Sequence, residues 1–282
     1  MLDKLVLTTP STDLTKEKIC QLLQGQYSRC TTTASKFHYT VLVFHLGIKD
    51  HLVSIHLHPR FPTISGLKFE INPSHFKNST ELKTMVQKFA DPNALKITRI
   101  DHCVDLTGIT VQEVYSKLIY SRKKAKEIYR DGKDLSTFYL GLPPERLLVY
   151  NKSKSTESGI KTRIEIQQYR DKIEHKDFRN LANFQSVNPF VNIQFKEIVD
   201  QKNTNERDKV KVAYLKDSIE TRGAQGNFKA LNSHSNFKRD FGHLLAPPTH
   251  FPDLGLIYKT NLKNYFEMVG TENNTNGEQI HE

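Results

Sequence analysis

Four short stretches place carboxylates, a tyrosine and a lysine at alternate positions of strand-like sequence. In Leu67-Lys-Phe-Glu-Ile-Asn72, Glu70 stands with Lys68 and Asn72, while Leu67, Phe69 and Ile71 take the opposite side, because successive side chains of a strand point to opposite faces. In Ile100-Asp-His-Cys-Val-Asp105, Asp101, Cys103 and Asp105 oppose Ile100, His102 and Val104. In Thr162-Arg-Ile-Glu-Ile-Gln167, Arg163, Glu165 and Gln167 oppose Ile164 and Ile166, and in Arg146-Leu-Leu-Val-Tyr-Asn-Lys152 one face carries Arg146, Leu148, Tyr150 and Lys152. Taken singly, an acidic residue on a strand reads as a solvated face. Were these strands neighbours, carboxylates would cluster beside a tyrosine, and such like charges need a cation such as Mg2+ or Mn2+ held by oxygen ligands. A tyrosine close to such a cation can attack a DNA phosphodiester and keep the bond energy as a phosphotyrosine, with Lys152 or Lys154 offsetting the charge of the transition state.

A further pair needs separate weighing. His56-Leu-His58 has the His-hydrophobe-His pattern with which a large superfamily of single-strand endonucleases binds its metal. In a chain with 12 histidines the same spacing is more readily the polar face of a strand shared with Ser54. Cys103 reads as a small buried side chain rather than a ligand.

The elements that must position these residues can be read from hydropathy. Strands are expected at Leu5 to Thr9, Phe37 to Leu46, Leu52 to Leu57, Gly66 to Ile71, Ile97 to Leu106, Ser136 to Gly141, Arg146 to Asn151 and Lys161 to Gln167, where β-branched residues or period-two alternation prevail. Helices are expected at Thr15 to Leu23, Thr80 to Phe89 and Val111 to Tyr129, with Asn78/Glu81 and Thr110/Glu113 at capping-box spacing. Beyond about residue 172 the texture turns to charged helical segments near Asp177 to Asn183, Phe190 to Asp200 and Asp208 to Arg222. Gly223 to Asn236 and the polar stretch 270–282 are poor core material, and the latter is expected to be disordered.

The chain has 282 residues, 37% hydrophobic and 10% aromatic, with no tryptophan, enough apolar material to bury a core. Three cysteines fit neither a disulfide framework nor a zinc spacing. Together with the lack of a membrane-length apolar run or a signal-peptide pattern at the N-terminus, they suggest a cytoplasmic protein. A formal net charge of +10 favours polyanionic partners, nucleic acid first.

In their order, Leu67-Lys-Phe-Glu-Ile-Asn-Pro73, Ile97-Thr-Arg-Ile-Asp-His-Cys-Val-Asp105, Thr137-Phe-Tyr-Leu-Gly141 followed by Arg146-Leu-Leu-Val-Tyr-Asn-Lys152, and Thr162-Arg-Ile-Glu-Ile166 resemble the conserved blocks of the Rep_trans-type rolling-circle replication initiators of plasmids and phages. The blocks span about 100 residues, with weaker similarity over residues 1 to 200. The resemblance implies that Tyr150 is the nicking nucleophile and that Glu70, Asp101 and Glu165 are acidic metal-site positions, with Asp105 matching a second family aspartate. Three departures stand out: Ser153-Lys-Ser155 follows the Tyr-Asn-Lys where the family has Lys-Gln-Glu, Gln167 replaces a second glutamate, and Leu142-Pro-Pro-Glu145 replaces a basic turn.

The expected architecture is α+β: a mostly antiparallel sheet with helices on one face, related to the HUH-type nickases, and a smaller helical C-terminal region. A nicking domain is expected over 1–172, a mainly helical region with a possible role in origin recognition over 173–269, and a tail over 270–282. The expected function is metal-dependent nicking and joining of single-stranded origin DNA, with a host helicase and polymerase as partners and a homodimer as the assembly considered. Arg122, Lys123, Lys124, Lys126 and Arg130 on the third helix would contact phosphates. A conjugative mobilisation relaxase, a catalytically silent DNA-binding regulator and a structural or host-interaction protein are the alternatives.

Overall fold

A computed structural model describes residues 1–10, 14–23, 28–32, 36–44, 51–120, 126–153, 159–198, 205–232 and 242–267. It is α+β, with a large antiparallel sheet and several helices. The chain divides into two compact units, one of Met1–Cys103, Gln167–Asn188 and Tyr258–Glu282, the other of Val104–Ile166 and Pro189–Ile257. Each unit therefore draws on sequence from both sides of residue 172.

In the first unit, β1 (Leu2–Thr9), β2 (Ser28–Thr32), β3 (Phe37–Phe44), β4 (His51–Pro59), β5 (Leu67–Ile71) and β6 (Lys96–Thr107) lie in the order β2-β3-β4-β5-β1-β6. Strand β6 runs on past the boundary at Cys103. The register puts apolar residues opposite one another: Leu5 faces Ile71 and Ile100, Leu7 faces Phe69 and Ile97, and Ile55 faces Phe69. All of these are buried, and each such side chain removed from water contributes roughly 1.5–3 kcal/mol. Helix α1 (Lys16–Leu22) starts at Thr15, whose hydroxyl accepts from the Lys18 N–H. Helix α2 (Ser79–Gln87) starts at Asn78, whose carbonyl oxygen accepts from the Glu81 N–H at 2.9 Å, while the Glu81 carboxylate accepts from the Lys77 N–H. It buries Leu82, Met85 and Val86, and the Phe89 ring just beyond it lies 6.4 Å from Phe69, on the apolar side of the sheet.

The second unit orders its strands β11 (Lys161–Tyr169), β10 (Glu145–Asn151), β9 (Asp134–Leu142) and β8 (Lys126–Asp131). Helix α3 (Val111–Lys117) opens with a complete Thr110/Glu113 capping box and covers the apolar side, its Tyr115 ring standing edge-on to Phe138 at 5.2 Å. Helix α4 (Glu206–Asn232) bends at Gly223, whose φ of +67° is left-handed. A Cβ at Gly223 would stand 2.6 Å from Tyr115 Cζ, so the bend and the missing side chain both serve the contact with α3. Val212, Leu215 and Ala224 of α4 form a buried cluster with Leu244.

Several expected elements change identity. The helix expected over Val111 to Tyr129 ends at Lys117, because Leu118–Tyr120 (β7) pairs with Ile193–Phe195 (β12) and Ile128 and Tyr129 pair with Phe138 and Thr137. Tertiary pairing overrides a local pattern that fits either period. Phe190 to Asp200, expected to be helical, supplies β12 and β13 (Glu197–Ile198), the latter paired with β14 (Leu245–Ala246). Asp177 to Asn183 is the start of a 3-10 segment, Phe178–Ser186, and Asp208 to Arg222 lies within α4. The first ten residues of Gly223 to Asn236 continue α4, with Ala224 buried. Strand β2 and helix α5 (Leu254–Glu267) were not anticipated. Lys126 and Arg130 stand on strand β8 rather than on a helix; Arg122, Lys123, Lys124 and the stretch 270–282 lie outside the described residues. Among the described residues, no helix is long and apolar enough to cross a membrane.

Candidate functional site

The polar face of the first unit centres on Glu70. On β5 it lies opposite Val6 of β1 and Ser54 of β4, while Lys68 lies opposite His56, which in turn faces Thr40 on β3. Residues directly paired across strands share a face, so alternation in each strand delivers Lys4, His56 and Lys68 to one carboxylate. Lys4 Nζ is 2.7 Å from Glu70 Oε2, and Lys68 pairs with Oε1. His56 Nε2 is 3.5 Å from Oε1, within ion-pair reach but too long for a well-formed hydrogen bond. His56, Lys4 and Lys68 together hold the Glu70 carboxyl far below the usual carboxylate range against the opposing effect of burial. The His56 ring is itself positioned by a 2.9 Å hydrogen bond between Nδ1 and the Thr40 hydroxyl. His58 is exposed, with left-handed backbone (φ 53°) and its ring edge-on to Tyr39.

Asp101, only 1% exposed, lies opposite Lys4 and is gripped by the Arg99 fork, with Nε 2.8 Å from Oδ1 and a terminal nitrogen 2.5 Å from Oδ2. A carboxylate this deeply buried persists because it is paired. The Arg99 guanidinium also lies 5.1 Å over the Tyr169 ring.

In the second unit the corresponding centre is Asp105. Arg163 binds it with both prongs, Nε to Oδ1 at 2.6 Å and a terminal nitrogen to Oδ2 at 2.9 Å, and Lys152 Nζ donates to Oδ2 at 2.9 Å. Burial works upward on this carboxyl, but Arg163 and Lys152 outweigh it and its pKa lies below the ordinary aspartate value. Tyr150, half-buried on β10, lies opposite Thr137 and two residues from Lys152. The Lys152 N–H donates to the Lys161 carbonyl at 2.8 Å; continued in antiparallel steps of two, this pairing sets Tyr150 beside Arg163 and Leu148 beside Glu165. Tyr150, Lys152, Arg163 and Asp105 thus occupy one face. Glu165 shares that face of β11 and is 3% exposed.

Each carboxylate named from the sequence is therefore an ionised or buried strand residue, and Glu70, Asp101 and Asp105 are all met by protein cations. The structure brings Asp105, Lys152, Glu165 and Tyr150 onto one face of the second unit, and Glu70 together with His56 in the first. Among the described residues, no three His, Cys, Asp or Glu side chains gather closely enough to hold a metal ion. Glu70 with His56, whose Nε2 is buried without a hydrogen-bond partner, comes nearest to a cation site, but Lys4 and Lys68 already occupy both carboxylate oxygens. Asp101 and Asp105, held in guanidinium forks, fit a metal less well. Sequence reasoning set Arg163 on the face of Glu165 without giving it a role and did not name Arg99, although alternation puts Arg99 on the face of Asp101. Comparison with protein-family models and with curated proteins finds no match.

Proposed function

We propose that the protein is a replication initiator of the rolling-circle type, nicking and rejoining single-stranded origin DNA through a phosphotyrosine. The observation that carries this reading is that Tyr150 shares its strand face with two cations, Lys152 and Arg163, fixed on a single carboxylate. Cations held in place beside a phenol suit a phosphodiester, because fixed cations cost no reorganisation as charge develops in the transition state. The Tyr150 oxygen forms a bond to phosphorus as the bond from phosphorus to the 3′ oxygen breaks; the tyrosine loses its proton, the leaving oxygen gains one, and no electrons are exchanged with an outside reagent. The 5′ end stays on the protein and the free 3′-OH primes a host polymerase, with a helicase opening the duplex. Reversal rejoins the strand. Mg2+ or Mn2+ is the cofactor this chemistry calls for, and when bound it would supply Lewis-acid stabilisation of the phosphate oxygens.

The test is to incubate the protein with supercoiled plasmid of its own replicon and Mg2+ or Mn2+. Open circles with covalently attached protein are expected from the parent and none from Tyr150→Phe. Protection of the origin without cleavage would replace the reading with a DNA-binding regulator, and a covalent complex confined to a transfer origin would replace it with a mobilisation relaxase.

A further inference from the structure

Three strands of the second unit carry an aromatic row that phosphoryl transfer does not need. Tyr129 on β8, Thr137 on β9 and Tyr150 on β10 are directly paired in sequence across the sheet. The adjoining row is Glu127, Tyr139 and Leu148. All six side chains lie on one face, and Arg146, two residues before Leu148, joins them. The Tyr129 and Tyr139 rings stand edge to face with centroids 5.9 Å apart, and the Arg146 guanidinium lies 5.0 Å from the centre of the Tyr139 ring. Tyr129 is 54% exposed, so its ring is open to solvent. The opposite side chains of these strands, Ile128, Phe138 and Val149, face the side covered by α3.

We infer that Tyr129, Tyr139 and Arg146 form a stacking platform for unpaired DNA beside Tyr150. Exposed aromatic rings interleaved with a guanidinium suit a single strand, whose bases offer their π faces to any partner and whose backbone offers negative charge. A duplex keeps those faces stacked inside. Tyr150 and Tyr129 are two strand spacings apart, roughly 10 Å, a distance spanned by a few nucleotides at about 3.4 Å each. A strand whose phosphate reaches Tyr150 can therefore rest a neighbouring base on Tyr129. The acidic Glu127 at the rim accepts from the Tyr129 hydroxyl at 3.4 Å, orienting the ring at some electrostatic cost to a polyanion. The inference takes its choice of DNA from the nicking function proposed above.

Binding of a fluorescein-labelled oligo(dT) is measured by anisotropy in the Tyr150→Phe protein, which binds without cleaving. Adding Tyr129→Ala is expected to weaken binding about 5- to 100-fold, the factor one stacked base is worth, with the salt dependence unchanged because no phosphate contact is lost. Tyr129→Phe should bind within about threefold of its parent, and a duplex of equal length should lose little. Arg146→Ala should weaken binding and flatten the salt dependence by about 0.7 in the log-log slope. Photocrosslinking of a 5-bromouracil oligonucleotide to the unmutated ring set, with the adduct mapped to Tyr129 or Tyr139, supports the platform independently of any variant's fold. Oligo(dT) affinity within twofold of the parent in both Tyr129→Ala and Tyr129→Leu, or crosslinks confined to other segments, overturns it. Nicking by the wild type is scored separately: cleavage with an unaffected Tyr129→Ala sinks the platform alone, whereas stacking on Tyr129 without cleavage sinks the nickase and leaves the platform standing.

Discussion

The two units solve one electrostatic problem with different neighbours. In the first, Glu70 is ringed by Lys4, Lys68 and His56, and its row runs on through Val6, Ser54 and Leu42. In the second, Asp105 is held by Arg163 and Lys152, and the adjoining strands lead through Tyr150 to the exposed Tyr129. Cations neutralise the carboxylates in both places, so the carboxylates do not distinguish them. The companions do. An imidazole nitrogen stands beside Glu70 in the first cluster, whereas the second shares its face with a phenol and a pair of edge-to-face rings. A strand acidic residue therefore gains meaning from what its cross-strand neighbours can donate.

The largest expected effect breaks the comparison at its chemical end. Tyr150→Phe should abolish nicking and the covalent adduct in an oligonucleotide cleavage assay, while Glu70→Gln retains the capacity to bind the strand. Next come the buried guanidinium forks. Arg99→Met and Arg163→Met each leave an aspartate without its main counter-ion and should cost about 3 kcal/mol in urea unfolding. Only Arg163→Met should also lower single-turnover cleavage beyond what added Mg2+ restores; equal cleavage by the two variants would erase the functional contrast between the units. Gly223→Ala strikes the second unit on its apolar side, combining a left-handed backbone with a clash against Tyr115. A loss of about 2–3 kcal/mol is expected, seen as a lower Tm with oligo(dT) binding intact below the transition.

The smallest effect is a pH dependence in the first unit. The folded-state pKa of Glu70 is depressed, so its contribution to stability is fully present above its ordinary value of 4.5 and is lost as the pH falls below it. Partial solvent access limits that contribution to about 1 kcal/mol. Glu70→Gln should accordingly be less stable than the wild type at pH 7, with the gap closing as urea titrations move from pH 5 toward pH 2. An unchanged gap at low pH would show that Glu70 acts by packing alone.

Much of the sheet was legible in the sequence, because Leu67–Ile71, Lys96–Thr107, Glu145–Asn151 and Lys161–Tyr169 each alternate one apolar face with one polar face. Placing Tyr150 with Lys152 followed from that alternation. The counter-ions did not. Which basic residue meets which carboxylate depends on register, and β1 and β6 shift register between Leu2 and Lys4 and between Val6 and Leu7, a property of two distant segments together. The aromatic platform was hidden for another reason: Tyr129 sits in a stretch whose spacing also suits a helix, and only the pairing of Ile128 with Phe138 settles it as a strand. Likewise Ile193–Phe195 takes its conformation from Leu118–Tyr120.

Among the described residues, strand β8 closes the order of its sheet, and an outermost strand offers backbone donors and acceptors that invite sheet growth by a second copy. Here that margin carries exposed Glu127, Arg130 and Asp131 beside Tyr129, and charges of both signs along an edge discourage such end-to-end addition. The same margin can stay open to a flexible polymer yet closed to self-association. Concentrated solutions should accordingly resist the fibrous aggregation that an uncharged aromatic edge would promote.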